Sequence, residues 1–533
     1  MLLWLAWNQA AEKPAEGSGK NFSNYQKRIS SSQNMNKSVG IAAGVIVVVG
    51  ALATAGAWYT GTRIEGVLRD SIEQGNQELV KSLKGSGSAI TLEMLSIDRH
   101  LFSSTAHYRV RIHDENLTTE DKNAEFLFVD NIEHGPLPFS RLKSFKLLPV
   151  MAQSNFEMEQ SPSAAKWFAM SKGVSPVTGH ASIGYDRSTS GALLLTPLEL
   201  KDTDGTFTFS GLRLDTEASA DAEKIKVLGK MDNFQLNVTS PEGDVALGAK
   251  GLTLDMGGTK GKSGFYLGHN TVKVDNLVGQ IAGLAPVAVK DLTGTSLIQE
   301  EGGTLAGQAS YNLGMISYDG KDVGALQSAF KFSNFDVAAS KAMYDLYQTK
   351  IMPQQQAAYA AGELFVPQLS PADQQLMDAQ IIKLLAAKPH VELEKLALKT
   401  ANGESHLRVA VDLTDTGTEQ PSPERYRNAI AQMEARLVLS KPMIGDLAAL
   451  QANLAGQTDP VAIAEQAKAA GDMVGAMAVM MQMAKVDGDN IVSNMQYANN
   501  IVDFNGQKMP PAQFMALIMS KVMGMEMAQP PTE

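Results

Sequence analysis

Few residues of this 533-residue chain stand at spacings that chemistry requires. Gly261-Lys262-Ser263 has the last three residues of a phosphate-binding loop, in which backbone amides and a lysine hold the phosphates. That loop needs a glycine five positions before Gly261, and Met256 stands there. A glycine-rich hairpin is therefore expected. Ser182 lies between Gly179 and Gly184, at the wrong spacing for the turn that exposes a serine nucleophile. The eight histidines include no H-E-x-x-H pair. His107 and His113 share one face of a strand, but about 20 Å separates them, too far for one metal ion. His134 precedes Gly135-Pro136 and is expected to fix a turn. Carboxylates such as Glu300-Glu301 sit beside glycines and read as solvated loop charge. No cysteine is present, which excludes disulfides, thiol catalysis, iron–sulfur clusters and Cys-ligated zinc. No catalytic, cofactor-binding or metal-ligating residue is assigned, and no cofactor is expected.

The composition bounds the alternatives. Hydrophobic residues make up 44% of the chain, which is ordinary for a folded protein. A formal charge of −11 excludes nucleic acid as a partner, because phosphate binding needs a basic surface.

From Ser38 to Gly61 the chain carries no charge. Val39, Ile41, Val45, Ile46, Val47, Val48, Val49 and Leu52 supply an apolar helix, and Trp58 and Tyr59 stand at its end, where amphipathic rings favour the interface. About 20 such residues span a bilayer's hydrocarbon. The run is longer than a cleaved signal's apolar core, so a retained anchor is expected. Lys27, Arg28 and Lys37 precede it, which places the N-terminus inside the cytoplasm and the body outside. Residues 1–34 are expected to be a non-native or disordered extension, with translation starting at Met35.

The elements after the span are mostly strands. A helix is expected over residues 62–84, ended by Gly85-Ser86-Gly87-Ser88. Period-two alternation then recurs at 107–113, 206–209, 234–238, 271–275, 391–394, 406–413 and 431–439. Turn residues at 202–205 and 401–404 separate such runs. Ser210-Gly211-Leu212-Arg213-Leu214-Asp215, Lys250-Gly251-Leu252-Thr253-Leu254-Asp255 and Val274-Asp275-Asn276-Leu277-Val278-Gly279 each put a turn residue before a Leu-rich strand, at irregular spacing. The fold class expected is α+β and β-dominated: an N-terminal transmembrane helix at 35–61, then a large antiparallel sheet of iterated hairpins. Its parts are β-rich regions at 89–335 and 389–440, a helical insertion at 336–388 capped in part by Ser370 and Pro371, and a helical, Met-rich end at 441–533 with one strand near 495–508. Met515, Met519 and Met523 line one helical face, as core packing or as an adaptable apolar surface.

The chain resembles the YdgA family, exported inner-membrane proteins of Gram-negative bacteria. The resemblance rests on Trp58-Tyr59-Thr60-Gly61 with Glu65, on Arg99 and Phe102-Ser103 within Asp98–Ser104, and on His134-Gly135-Pro136-Leu137-Pro138. It continues through Thr400–Glu404 and ends at Asn505-Gly506-Gln507-Lys508-Met509-Pro510. His100 stands where the family has glycine. The resemblance implies an anchored periplasmic body and assigns no catalytic residue. The function expected is a non-enzymatic envelope protein that handles lipid or acts as a scaffold. The alternative is an exported hydrolase with distant paired carboxylates. The partners expected are the lipid bilayer and a second copy or another envelope protein.

Overall fold

The period-two segments are strands of one antiparallel sheet. The computed structural model describes residues 68–526 except 70, 71, 74, 78, 81–87, 115–121, 136, 204, 240–242, 263, 282, 362, 363, 416 and 418–427. The expected span, with Gly61, Glu65 and Pro136, therefore lies outside the described residues. Among the described residues no helix is long and apolar enough to cross a membrane.

Among the described residues the sheet has 22 strands. Its first part runs β1 (Ser88–Arg99), β2 (Ser103–Asp114), β3 (Asn123–His134), β4 (Ala152–Glu159), β5 (Val177–Ile183) and β6 (Thr189–Leu195). Each of these pairs with the one before it. The hairpin of β7 (Leu198–Asp202) and β8 (Gly205–Phe209) leads to β9 (Leu212–Ala218), which pairs with β6. Strands β8 and β9 lie end to end along β10 (Lys224–Val238). A meander of long strands follows: β11 (Val245–Lys260), β12 (Tyr266–Gln280), β13 (Val287–Glu301), β14 (Thr304–Tyr318) and β15 (Lys321–Asp336). It continues through β16 (His390–Lys399), β17 (Glu404–Leu413) and β18 (Ile430–Ser440). The end is β19 (Lys485–Asp487), β20 (Asn490–Ala498), β21 (Ile501–Phe504) and β22 (Gln507–Met509), with β20 on β18.

Short helices α1 (Phe139–Lys143) and α2 (Ala165–Met170) interrupt the first part. The insertion after β15 holds α3 (Val337–Leu346), a π-helical turn at Tyr347–Ile351, α4 (Met352–Ala361) and α5 (Pro371–Ala386). Ser370 caps α5, its hydroxyl accepting from Asp373 N at 3.2 Å, with Pro371 at the first turn as expected. The last helices are α6 (Lys441–Leu454), α7 (Pro460–Met480) and α8 (Pro511–Glu526).

Three expectations are corrected. The single strand near 495–508 is three short strands, because Asn499-Asn500 and Asn505 take left-handed backbone and reverse the chain twice. Glu300 and Glu301 are not in a loop: they end β13, paired with Leu305 and Thr304. The glycines and aspartates of the second and third Leu-rich repeats do not start strands but lie inside β11 and β12.

The main core lies in the first part. Leu68, Ile72 and Leu79, on helical residues before β1, pack with Ile90, Leu92, Val110, Phe128, Phe156 and Leu193. Asn76 fastens this helical segment to the sheet edge. Its amide donates to Leu92 O at 2.9 Å and its carbonyl accepts from Leu92 N at 2.9 Å. Those are outward groups of an edge strand that would otherwise be open to another chain.

Candidate functional site on the open face of the sheet

The apolar residues of β9 to β16 form continuous rows across the strands. Leu195 pairs with Leu212, and Met231 with Leu252. Val274 pairs with Leu292, Leu292 with Leu313, Leu313 with Leu326 and Leu326 with Leu398. A parallel row joins Phe209, Phe234, Ala249, Leu277, Val289 and Ile316.

An unbroken period of two would put these rows on opposite faces, since Met231 and Phe234 are three residues apart. A crease between the rows prevents this. Asp232, Gly251, Asp275, Asp291 and Gly314 stand in line across β10–β14, each between two registered pairs. Gly251 (φ +68°) and Asp291 (φ +53°) take left-handed backbone. That interrupts the alternation without ending the strand. Lys290 and Asp291 are exposed in succession, where strict alternation would bury one of them. The carboxylate of Asp275 lies over Gly251: a Cβ there would meet Asp275 Oδ2 at 1.9 Å. The apolar series thus resumes on the same face after the crease.

This face is only partly covered. Met231 and Val274 are buried, but most of its neighbours are half-exposed. Helices α3 and α5 pack on β15, α6 on β15 and β18, and α8 on β21; among the described residues none packs broadly on β9–β14. Six inter-strand steps from β9 to β15, at about 4.8 Å each, make a trough roughly 29 Å long. Its closed end is the main core, against which Leu195 and Leu214 pack.

The motif residues divide into two groups. Arg99, Phe102, Ser103, His134 and Gly135 meet at one end of β1–β3. His100 N donates to Ser103 O at 2.8 Å and His134 N to Phe102 O at 2.8 Å. The turn therefore closes without the glycine that the resemblance led one to expect at position 100. Ser104 Oγ lies 2.9 Å from His134 Nε2, and burial holds the imidazole below its ordinary pKa. The hydroxyl therefore meets a neutral ring, and the contact fixes the turn. Asn505 and Gly506 lie far along the chain, in the β21–β22 turn. Asn505 accepts from Asn494 N at 2.8 Å and donates to Met483 O at 2.9 Å, a structural staple.

Several polar groups escaped the sequence reading. Asp130, on β3, is fully buried, and desolvation raises its carboxyl to about 6 against bonds from Ser154 and Asn155 that lower it. Ser154 Oγ donates to Asp130 Oδ1 at 2.8 Å. Arg141 Nη1 donates to Ser182 Oγ at 2.8 Å, and Ser182 Oγ donates to Gln153 Oε1 at 2.6 Å. Among the described residues no group of three His, Cys, Asp or Glu side chains converges as metal ligands would.

The family model for bacterial proteins of unknown function DUF945 matches residues 35–512. The chain belongs to this family. Protein YdgA of Escherichia coli (strain K12) is 26% identical over 493 residues, 91% of this chain and 97% of that protein. The uncharacterized protein YihF of the same organism is 22% identical over 485 residues, 89% of this chain and 98% of that one. An uncharacterized protein of Haemophilus influenzae is 27% identical over 155 residues, 29% of this chain and 41% of that one. No solved structure matches the chain. The YdgA-like character read from the motifs is thus a family relationship. The DUF945 match takes in the whole of the trough and the β1–β3 turn cluster.

Proposed function

We propose that the protein is a non-enzymatic, inner-membrane-anchored envelope protein that holds lipid acyl chains along the open face of its sheet. The N-terminus is cytoplasmic and the body periplasmic in this reading. The observation that carries it is the apolar trough that starts at β9, closed at one end by core and, among the described residues, not broadly covered by helices from β9 to β14. Apolar surface gains about 25 cal/mol for each Å² removed from water, so so large an exposed face is stabilised by a ligand. An acyl chain needs no polar partner, which suits a face whose rows are Leu, Val, Ile and Phe. The charge-free stretch Ser38–Gly61 supports delivery of the body across a bilayer.

Photocrosslinking in cells tests the reading without interference from lipid around an anchor. Benzoylphenylalanine at Val272, on the trough face, is expected to capture phospholipid, and Leu254→Asp beside it to cut the yield at least fivefold. The same probe at Lys273, on the opposite face, is expected to capture none. Equal yields at 272 and 273, or none at either, would overturn the proposal.

A further inference from the structure

One end of the first six strands presents apolar side chains to solvent. The β1–β2 turn carries Leu101 and Phe102, 85% and 73% exposed. Register brings the β3–β4 connection beside it, since Ser103 pairs with Glu133 and His134 with Ala152. That connection exposes Phe139, Phe145, Leu147 and Leu148, the second and last at 88% and 78%. Among the described residues, the tight turns between β11 and β15 expose no large apolar side chain to this degree.

The connection is held in shape rather than loose. Glu133 accepts from Ser140 N at 2.9 Å and from Ser140 Oγ at 2.8 Å, fixing α1 to β3. Arg141 reaches back to Ser182 and donates to Leu148 O at 3.1 Å. Lys143 Nζ sits 4.7 Å from the Phe139 ring centre. Residues 137–148 hold three cations and no carboxylate, in a chain of net charge −11. Behind them a cleft of 500 Å³ is lined by Arg141, Lys146, His180, Ser182, Arg213 and Asp215 among others. Arg213 is paired with Asp215 at 2.6 Å. The His180 imidazole is pushed below its ordinary pKa by burial first, then by Lys146, Arg213 and Arg141, with the Asp215 carboxylate opposing them.

We propose that this end of the sheet is a bilayer contact. The Leu101–Phe102 tip and the Phe139–Leu148 connection enter the interfacial layer of a membrane containing anionic phospholipid, with Lys143 and Lys146 at headgroup phosphates. Aromatic rings and leucines flanked by cations match the two layers of that interface, acyl boundary and anionic headgroup. Soluble partners of mixed charge offer no such stratification. The contact is independent of the trough, and either stands if the other fails.

The absence of cysteine permits a single-site label on the full chain. Ser144→Cys, carrying a polarity-sensitive fluorophore, is placed in nanodiscs of phosphatidylcholine alone or with 30 mol% phosphatidylglycerol (roughly the anionic charge at which lysine–lipid attraction is strong). A blue shift is expected in the anionic discs, or on adding anionic vesicles to the neutral ones; the first result indicates contact with the anchoring membrane and the second with an opposing one. Lys143→Gln and Lys146→Gln are each expected to weaken vesicle binding about fivefold, the equivalent of about 1 kcal/mol per cation. A Thr458→Cys label, in the α6–α7 loop, is expected to stay unshifted. No shift with any lipid, an equal shift with neutral lipid, or a shift that follows protein concentration without vesicles (a second copy) would each overturn the proposal.

Discussion

Asp130 shows how a single residue couples the core to pH. Its carboxyl is raised from 3.8 to about 6, so the folded protein holds that proton more tightly than the unfolded chain does. The stability tied to it is full below about 4 and is lost as pH rises through about 6. Asp130→Asn keeps the oxygen that accepts from Ser154 and removes the charge. The variant is expected to unfold later than the parent at pH 8, by up to about 3 kcal/mol, with the advantage gone near pH 4. Denaturant melts at both pH values check it; a variant less stable at pH 8 would refute the account. Asp130 shares the parity of the buried Phe128 and Ile132, but Leu127 and Val129 make the other parity apolar too, so alternation alone does not mark it as inward. Gly251 was visible as a glycine, but its role was not. Gly251→Ala meets both the left-handed backbone and the Asp275 carboxylate, and is expected to destabilise by at least about 2 kcal/mol. Gly248→Ala, three residues earlier on the same strand, has nothing closer than 3.8 Å and is expected to change stability by under about 1 kcal/mol.

At the scale of elements, the strands and most helix ends were legible because their signals are local. His107–His113, Phe234–Val238 and Ala431–Leu439 alternate in composition and lie in β2, β10 and β18. Ser370 and Pro371 announce α5. The crease was not legible as such. A glycine ahead of a leucine run looks the same whether the chain reverses or only bends, and Lys250-Gly251-Leu252 was read as a reversal. The missed signal was the spacing between apolar residues, which goes from two to three once in each long strand and then back to two. The end read as helical from 441 onward divides before its strands, because Asp459 and Pro460 start a second helix, with Asp459 Oδ1 accepting from Val461 N at 3.0 Å. Asn76 was also invisible, because what it bonds is the backbone of a strand sixteen residues on. Asn76→Ala is expected to speed amide exchange at Leu92 about fivefold, the loss of roughly 1 kcal/mol of local protection. Hydrogen exchange at that amide tests it, and unchanged protection would mean that the helical packing alone closes the edge.

For the molecule as a whole, the recurrent period-two alternation pointed to β-dominance, yet the division between closed core and open face required three dimensions. Burial depends on which helices return to which strands, and no local pattern states that α3, α5 and α6 settle beyond β14. Met515 and Met519, left open between core and surface, are each 58% exposed, so α8 anchors through Phe514 and Leu517 instead. Those methionines add flexible apolar surface at the far end of the sheet from the β1–β3 turns.

From β10 to β17 every strand pairs with its immediate neighbours in sequence. Such a sheet can gain or lose one hairpin without rerouting any other connection, and each hairpin adds two inter-strand steps, about 10 Å. The trough is in effect a ruler graduated in pairs of strands. Homologues of different reach would then differ by whole hairpins, with the length of this apolar face changing in the same increments.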